Sequence, residues 1–320
     1  MKVSEVKEFL KKYNNEEKEK IIIELYKRIP KRIKEDYDID NYIMNVNKNK
    51  NTKKQEEKIS IESLEKEIDY FLQCAYANFY VSPNKIISKS ERSKWRFKVK
   101  AFYKELNKFP AKSEEGKKAT ELLISLYKIL SLGSNYLTFT TWNTFGAIQV
   151  SQSDFYLNII ERIQENGINK ENIKVCTELL NVEFDPQEYH KYILISLETS
   201  LKTTDSKYIA IELLKEQADK YIEKYKKSNK YDDIEHANYI IECIVDIYFS
   251  LYEVDEGLKY YHKNYIESTS EVKEYIILDN LEFHKLYTYW IKEYEKYLGK
   301  INYREELKNK YKKIKSGYGG

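Results

Sequence analysis

The stretch HANYIIECIVDIYFSLYEVDEGLKYYHKNY, residues 236–265, contains the pattern that decides the fold. Its apolar residues recur every three or four positions, which is the period of an α-helix with one buried face. The pattern predicts two helices, over about 232–252 and 255–267, joined by a very short connection. The same period returns along most of the chain, and we therefore predict an all-α protein.

Glycine and proline are scarce in this chain. Its 320 residues include 9 Gly and 4 Pro, together about 4% against roughly 12% in average proteins. Turns, hairpins and bulged strands depend on these residues, because Gly supplies positive φ and Pro fixes φ. Their scarcity supports the all-α prediction.

The chain is expected to contain three segments. Residues 1–44 predict a small helical unit, in which EEKEKIIIELYKRIP is a helix that stops at Pro30. Residues 45–58, NVNKNKNTKKQEEK, are too polar to offset the entropy of ordering and predict a flexible linker. Residues 59–320 predict helical hairpins stacked as an irregular α-solenoid, which ends in a basic, partly flexible tail.

Capping signals place several helix boundaries. Ser88 and Glu91 predict a capping box at the start of a basic helix. Asp185 predicts the N-cap of a later helix, with Glu188 closing a second box. One long helix is expected over about 270–298.

The unit 236–265 resembles a tetratricopeptide repeat. Tyr248 falls where that repeat has a tyrosine, Gly257 where a small residue lets the helices approach, and Tyr261 where an aromatic packs. Val245 stands where glycine is usual, and the typical Trp and Pro are absent. The resemblance implies a helical-repeat shape and a groove for a peptide or another protein, with Tyr248 and Tyr261 as packing or groove residues.

Residues 131–153, SLGSNYLTFTTWNTFGAIQVSQS, carry no charged side chain, although 33% of the chain is charged. We call them the uncharged stretch. Their Thr and aromatic residues interrupt the helical period, and the stretch is long for a hairpin loop. We predict a loop laid into a groove between helices and anchored by Phe139, Trp142 and Phe145. This loop either closes the core as a structural plug or contacts a partner.

Charge is segregated along the chain. Residues 84–108 carry nine Lys or Arg against two acidic residues, and residues 300–320 carry seven against two. Residues 109–299 have a net charge of −10. The chain therefore combines two basic segments with an acidic repeat region.

The helix predicted over 88–108 sets an apolar stripe against a basic face. We define the basic face as Lys94, Phe97, Lys98, Lys100 and Lys104. Lysines with an outward aromatic ring could contact phosphates and stack on bases. The same face could instead be solvated, dock on the acidic repeats or bind an acidic protein. The six arginines of the chain weaken the nucleic-acid interpretation, since Arg is preferred for bidentate recognition.

Motifs of the common nucleotide-binding and hydrolytic enzymes do not occur in the sequence. Asp233 and His236 share a helix face, but a metal site would need two more ligands, and the Glu-x-x-His repeat of di-iron bundles is missing. Cys74, Cys176 and Cys243 lie in apolar helical patterns without CxxC spacing, which predicts reduced core residues. We predict no catalytic residue, no metal and no cofactor.

The N-terminal segment has no apolar signal region, and no run of about 18 apolar residues occurs. We therefore expect a cytoplasmic protein without a membrane partner. The leading interpretation is a non-enzymatic helical-repeat scaffold or adaptor that binds a protein or peptide. The alternative is a nucleic-acid-binding accessory protein that uses the basic face. A third possibility is a peptide receptor of the kind that bacterial quorum-sensing regulators build from such repeats. The oligomeric state is not predicted.

Overall fold

The computed structural model describes residues 3–36, 39–44, 59–267 and 269–318. Helices dominate these ranges, which confirms the all-α prediction. The β structure in them is one isolated bridge, between Leu298 and Ile301. The predicted linker, 45–58, and the last two residues of the predicted flexible tail lie outside the described residues.

The chain divides into two compact units, Met1–Ile59 and Ser60–Gly320. The described helices of the first unit are α1 (Val3–Leu10), α2 (Asn15–Arg28), α3 (Lys31–Asp36) and α4 (Ile39–Met44). Helix α2 begins at a capping box, in which the Asn14 side chain accepts from the Glu17 amide and the Glu17 carboxylate accepts from the Asn14 amide. It ends before Pro30, as the sequence predicts.

The second unit contains the remaining helices. Its first half comprises α5 (Ile61–Tyr76), α6 (Lys89–Arg92), α7 (Trp95–Leu106), α8 (Glu114–Asn135), α9 (Thr144–Ile148), α10 (Gln152–Glu165) and α11 (Lys170–Glu178). Its second half comprises α12 (Lys191–Ser200), α13 (Thr204–Ser228), α14 (Tyr231–Ser250), α15 (Val254–Asn264), α16 (Ser270–Phe283), α17 (Tyr287–Lys296) and α18 (Glu305–Tyr318).

Several helices of the second unit pack on the next helix along the chain. Helix α13 contacts α14, and α14 contacts α15. Between α10 and α14 each helix also contacts the next but one along the chain. Stacked helical pairs produce this order of contacts. The continuous solenoid itself stays a prediction.

Gly257 lies where α15 approaches α14. A Cβ atom at this position would lie 2.9 Å from Cε1 of Phe249 and 3.1 Å from Cβ of Tyr248. Any side chain here would push the two helices apart, because interior packing leaves no room for added atoms. The glycine is therefore required by the close helix–helix contact.

Two predicted boundaries were wrong. The basic helix is divided into α6 and α7, and the Ser88 side chain makes no capping bond; its hydroxyl lies 3.1 Å from that of Ser90. The long helix expected over 270–298 is divided into α16 and α17, because Lys285 adopts φ 57°. The amides of Lys285 and Leu286 then bond to carbonyls of the last turn of α16, which ends that helix.

The uncharged stretch is only partly a loop. Its residues 131–135 continue α8, residues 144–148 form α9, and its last two residues begin α10. Its irregular parts are 136–143, between the first two helices, and 149–151, before α10. The prediction of one long loop was therefore wrong, although the predicted break in the helical period exists.

The three predicted anchors of the uncharged stretch have different environments. Phe139 and Phe145 are fully buried, and the Phe139 ring stacks 4.2 Å from the ring of Trp95. Phe139 also fills the space beside Gly133, where a Cβ atom would lie 2.7 Å from the phenyl ring. Trp142, in contrast, is 61% exposed. Phe139 and Phe145 therefore close the core, whereas a partner contact by this segment stays a prediction.

Candidate functional site

A cavity of about 970 Å³ opens within the second unit. Its main walls are the segment 183–191, the first half of α14, the connection 265–267 and part of α16. This volume is at the upper end of the roughly 300–1,000 Å³ that ligand sites occupy. Its lining includes the polar and aromatic residues Glu183, Asp185, Glu188, Tyr189, His190, Lys191, Tyr231, Glu235, His236, Asn238, Tyr239, Glu242, Tyr265, Glu267, Asp279 and Asn280.

The amide side chains of the uncharged stretch hold the first wall of the cavity. Gln152 is fully buried; its Nε2 donates to the Glu183 carbonyl at 2.9 Å, and its Oε1 accepts from the Asp185 amide at 2.7 Å. Asn135 donates to the Phe184 carbonyl at 2.7 Å. These bonds satisfy backbone groups that no helix satisfies. The stretch thus positions the cavity wall, a role that the sequence did not indicate.

The predicted capping box of this wall was wrong. Helix α12 begins at Lys191, well after Asp185, whose carboxylate accepts from the nearby Gln187 amide at 3.0 Å. The Glu188 carboxylate accepts instead from the amide of Gln152 at 2.7 Å, at the start of α10. Glu188 therefore caps a helix distant in sequence, where a negative charge is favoured by the helix dipole.

Acidic side chains dominate the cavity. The carboxylates that line it are Glu183, Asp185, Glu188, Glu235, Glu242, Glu267 and Asp279. The lining basic residues are Lys191 and the imidazoles of His190 and His236. Burial raises the pKa of Tyr189, and the nearby Asp279 carboxylate raises it further. The phenol therefore stays protonated and can donate a hydrogen bond.

The buried Lys191 shows how the wall accommodates an ammonium group. Lys191 is 2% exposed, and its Nζ lies 2.9 Å from Oδ2 of Asp279 and 5.2 Å from the ring centre of Phe283. Tyr189 donates to the same Asp279 oxygen at 3.3 Å. Asp279 is thus compensated by a cation, and the cation also lies over an aromatic face.

Glu242 is a buried carboxylate with different partners. It is 8% exposed; the hydroxyl of Tyr265 donates to its Oε1 at 3.3 Å, and Nε2 of His190 lies 3.8 Å from its Oε2. Within the described ranges, no Lys or Arg forms an ion pair with Glu242. Burial, and then the Glu242 charge, raises the pKa of Tyr265, so this phenol remains a donor.

Two polar groups at the cavity are buried without a hydrogen-bond partner in the described structure. They are the side-chain amide of Asn280, both of whose polar atoms are unpaired, and the hydroxyl of Tyr239. The nearby Asn238 is paired: it donates to the Ile266 carbonyl at 2.7 Å and accepts from the Ile266 amide at 3.0 Å. An unpaired buried group costs about 1–3 kcal/mol, so the cavity retains unused bonding capacity.

A second charged cluster lies at α15, α16 and α17 and could hold a metal ion. Nε2 of His262 lies 2.6 Å from Oε1 of Glu293, and Nδ1 lies 3.7 Å from Oε1 of Glu274. Burial, and then repulsion from Glu293, raises the pKa of Glu274 to about 8. One imidazole and two carboxylates suit a divalent cation. However, the Lys296 ammonium, 3.1 Å from Glu293, already supplies positive charge there.

The sequence did not point to this cluster, and it singled out another pair. The Asp233 carboxylate forms an ion pair with the Lys224 ammonium at 2.7 Å and accepts a hydrogen bond from the Ser228 hydroxyl, also at 2.7 Å. His236 instead lies 5.2 Å from the ring of Tyr221 and borders the cavity. Asp233 and His236 therefore share no metal-binding arrangement in the described residues.

The three cysteines are buried and unpaired with one another, as predicted. Burial raises the pKa of Cys176 to about 12 and that of Cys243 well above its usual value. Both side chains therefore remain neutral thiols at physiological pH, which disfavours a nucleophilic role.

The two tyrosines that the repeat resemblance implied lie away from the cavity lining. Tyr261 is fully buried, and its hydroxyl donates to the Lys273 carbonyl at 2.8 Å. Tyr248 is half-buried, and its hydroxyl accepts from Lys215 Nζ at 2.8 Å. Both side chains pack against neighbouring helices, and their role as groove residues stays a prediction.

The basic face points to solvent rather than to the acidic repeats. Phe97 is 61% exposed, with the Arg96 guanidinium 4.9 Å from its ring centre. Lys94 pairs with Glu91 at 2.8 Å, and Lys100 bonds to the side chain of Gln149. Lys98 and Lys104 are also exposed. The apolar stripe of α7, which includes Trp95, is buried.

No helix in the described ranges is both long and apolar enough to span a bilayer. No protein-family model matches the chain, and neither a curated protein nor a solved structure matches it. Functional assignment therefore depends on the geometry of the cavity and of the charged surfaces.

Proposed function

We propose that this chain is a helical-repeat protein that binds a peptide segment of another protein in the cavity. The observation that carries the proposal is a large cavity whose walls contain buried polar groups without partners. Such groups gain most from a ligand that restores their hydrogen bonds. The role is that of a scaffold or adaptor without chemistry of its own, in the reducing cytoplasm that three buried free cysteines favour.

A peptide main chain fits these groups better than an apolar small molecule. The side-chain amide of Asn238 already binds a main chain beside the cavity: its nitrogen donates to the Ile266 carbonyl, and its oxygen accepts from the Ile266 amide. Asn280 offers the same donor and acceptor. Because Asn280 is fully buried, neighbouring side chains must shift for a ligand to reach it, a common change on binding.

The test begins with selection of a random-peptide library on the immobilised full chain. Selected peptides are then titrated against wild type, I234W and I168W by fluorescence anisotropy. Ile234 is half-buried in the cavity wall, so an indole there fills the cavity; Ile168 is 44% exposed and lies outside the lining. We expect peptides that bind wild type and I168W and lose affinity for I234W. Peptides that bind all three equally, or the recovery of none, would contradict the proposal.

The exposed basic face supports a second candidate function, the binding of single-stranded nucleic acid. Phe97 is available for stacking, and lysines surround it. Oligonucleotide binding that collapses between about 50 and 200 mM salt, and that is lost in K98E/K100E/K104E, would support this function. Equal oligonucleotide binding by that variant and by wild type would contradict this second candidate function.

A further inference from the structure

We infer that the cavity selects a cationic segment, with Glu242 as the counter-ion of an arginine or lysine side chain of the ligand. This inference rests on the proposed peptide-binding function and names the chemistry of the partner. It is carried by three features of the described residues: the charge of the lining, the pairing of Lys191, and the contrasting partners of Glu242.

The charge of the lining is opposite to that of the whole chain. The formal net charge of the chain is +3. Among the described residues, the cavity lining nevertheless has seven carboxylates and a single lysine, in addition to two imidazoles. A concave surface that concentrates one sign of charge attracts the opposite sign and rejects its own. The acidic lining therefore favours a basic ligand over an acidic one.

Lys191 provides an internal example of the proposed recognition. Its ammonium is buried between the Asp279 carboxylate, at 2.9 Å, and the ring of Phe283. A carboxylate and an aromatic face together compensate the loss of hydration of a cation. The same wall can therefore hold a second basic group if a second carboxylate lies within reach.

Glu242 is that second carboxylate. Its partners are the Tyr265 hydroxyl and, at the longer distance of 3.8 Å, the His190 imidazole. The ring of Tyr239, 5.6 Å from that of His190, borders the same space. Tyr231, 73% exposed, adds an aromatic side chain to the lining. A guanidinium or ammonium entering here would gain an ion pair with Glu242 and contacts with aromatic rings.

The basic group could belong to a peptide or to a free polyamine, since the shared chemistry is a cationic nitrogen on a flexible chain. The unpaired Asn280 favours a peptide, because a polyamine has no carbonyl to accept from its amide nitrogen. Competition by spermidine separates the two sources.

The experiment compares fluorescein-labelled Arg-Ser, Gln-Ser and Glu-Ser repeat peptides of equal length, titrated into the full chain by anisotropy. We expect the Arg-Ser peptide to bind at least about tenfold more tightly than the Gln-Ser peptide. E242Q should lose that advantage, and E171Q, which changes an exposed carboxylate outside the cavity, should keep it. The comparison among peptides uses wild type alone and is decisive even if E242Q folds poorly.

Each remaining outcome overturns a defined part of the account. Equal binding of the Arg-Ser and Gln-Ser peptides, both blocked by I234W, overturns the cationic inference and leaves the peptide-binding function standing. An Arg-Ser advantage that E242Q keeps overturns the assignment of Glu242. If spermidine displaces the peptide and binds more tightly than the peptide does, the ligand is a polyamine and the assignment of a peptide ligand is overturned. No binding by any of the three, together with an empty library selection, overturns both proposals.

Discussion

The acidic cavity and the basic face belong to the same compact unit and are both rich in charge, yet they differ in their access to water. On the basic face the charged groups remain hydrated, and Phe97 is 61% exposed. At the cavity Glu242 is 8% exposed, and Asn280 is fully buried with both polar atoms unpaired. Hydrated charge costs little, whereas buried polar groups without partners cost stability. If the cavity is the binding site that we propose, loss of hydration marks such a site more specifically than charge density does.

The largest effect concerns the core beneath the basic face. F139A removes a buried ring that stacks on Trp95 of α7, and we expect it to lower the free energy of unfolding by about 3–5 kcal/mol. W142A, which changes a ring that is 61% exposed, should lower it by less than about 1 kcal/mol. Chemical denaturation measures both. Equal losses would contradict the assignment of Phe139 to the core and Trp142 to the surface.

The second effect contrasts a buried carboxyl group with hydrated ones. The pKa of Glu274 in the folded protein, about 8, is above its usual value of 4.5, so the folded state binds the proton more tightly than the unfolded state. Stability should therefore fall as pH rises between these values, by up to about 1.4 kcal/mol per pH unit. E274Q should remove this part of the slope.

The slope is obtained from urea midpoints at several pH values between about 5 and 8, the interval over which a carboxyl group with its pKa raised from 4.5 to about 8 affects stability. Glu293, His262, Lys273, Lys296 and Tyr303 face or neighbour Glu274 and are unchanged in the variant. E171Q serves as the hydrated control and should retain the wild-type slope. If E274Q retains the wild-type slope, the raised pKa of Glu274 is contradicted.

The third effect compares two asparagines at the cavity. N280L replaces an unpaired buried amide and should stabilise the free protein by about 1–3 kcal/mol. N238L removes an amide that pairs with the Ile266 backbone and should destabilise it by a similar amount. Thermal or urea unfolding distinguishes the two signs. Destabilisation by both variants would show that Asn280 has a partner in the free protein.

The smallest effect is expected at the basic face. K98E/K100E/K104E changes exposed side chains and should alter the free energy of unfolding by no more than about 0.5 kcal/mol. Its affinity for the Arg-Ser peptide should stay within about twofold of wild type, because these lysines do not line the cavity. A larger change in peptide affinity would remove the distinction between the two surfaces.

Features that depend on local periodicity could be predicted from the sequence. The 3.6-residue period gives the all-α class, the buried stripe that includes Trp95, and the burial of all three cysteines. The stop before Pro30 follows from the missing proline donor. In each case the determining residues are neighbours along the chain.

The cavity could not be predicted in this way. Its walls come from segments between 135 and 280 that meet only after the helices pack. A helix cap predicted from neighbouring residues was also wrong where a residue distant in sequence takes the bond. The Glu188 carboxylate accepts from the first amide of α10 instead of capping a helix in its own segment. Periodicity likewise could not separate Phe139 from Trp142, because both lie in an irregular segment whose packing sets their burial.

The most direct test of the central claim is amide hydrogen exchange of the full chain with and without a saturating Arg-Ser peptide. Binding in the cavity predicts slower exchange in 183–191, in the first half of α14 and in 275–280, with no change in α7. Protection confined to other segments, or no protection at saturation, would contradict the assignment of the cavity as the peptide-binding site.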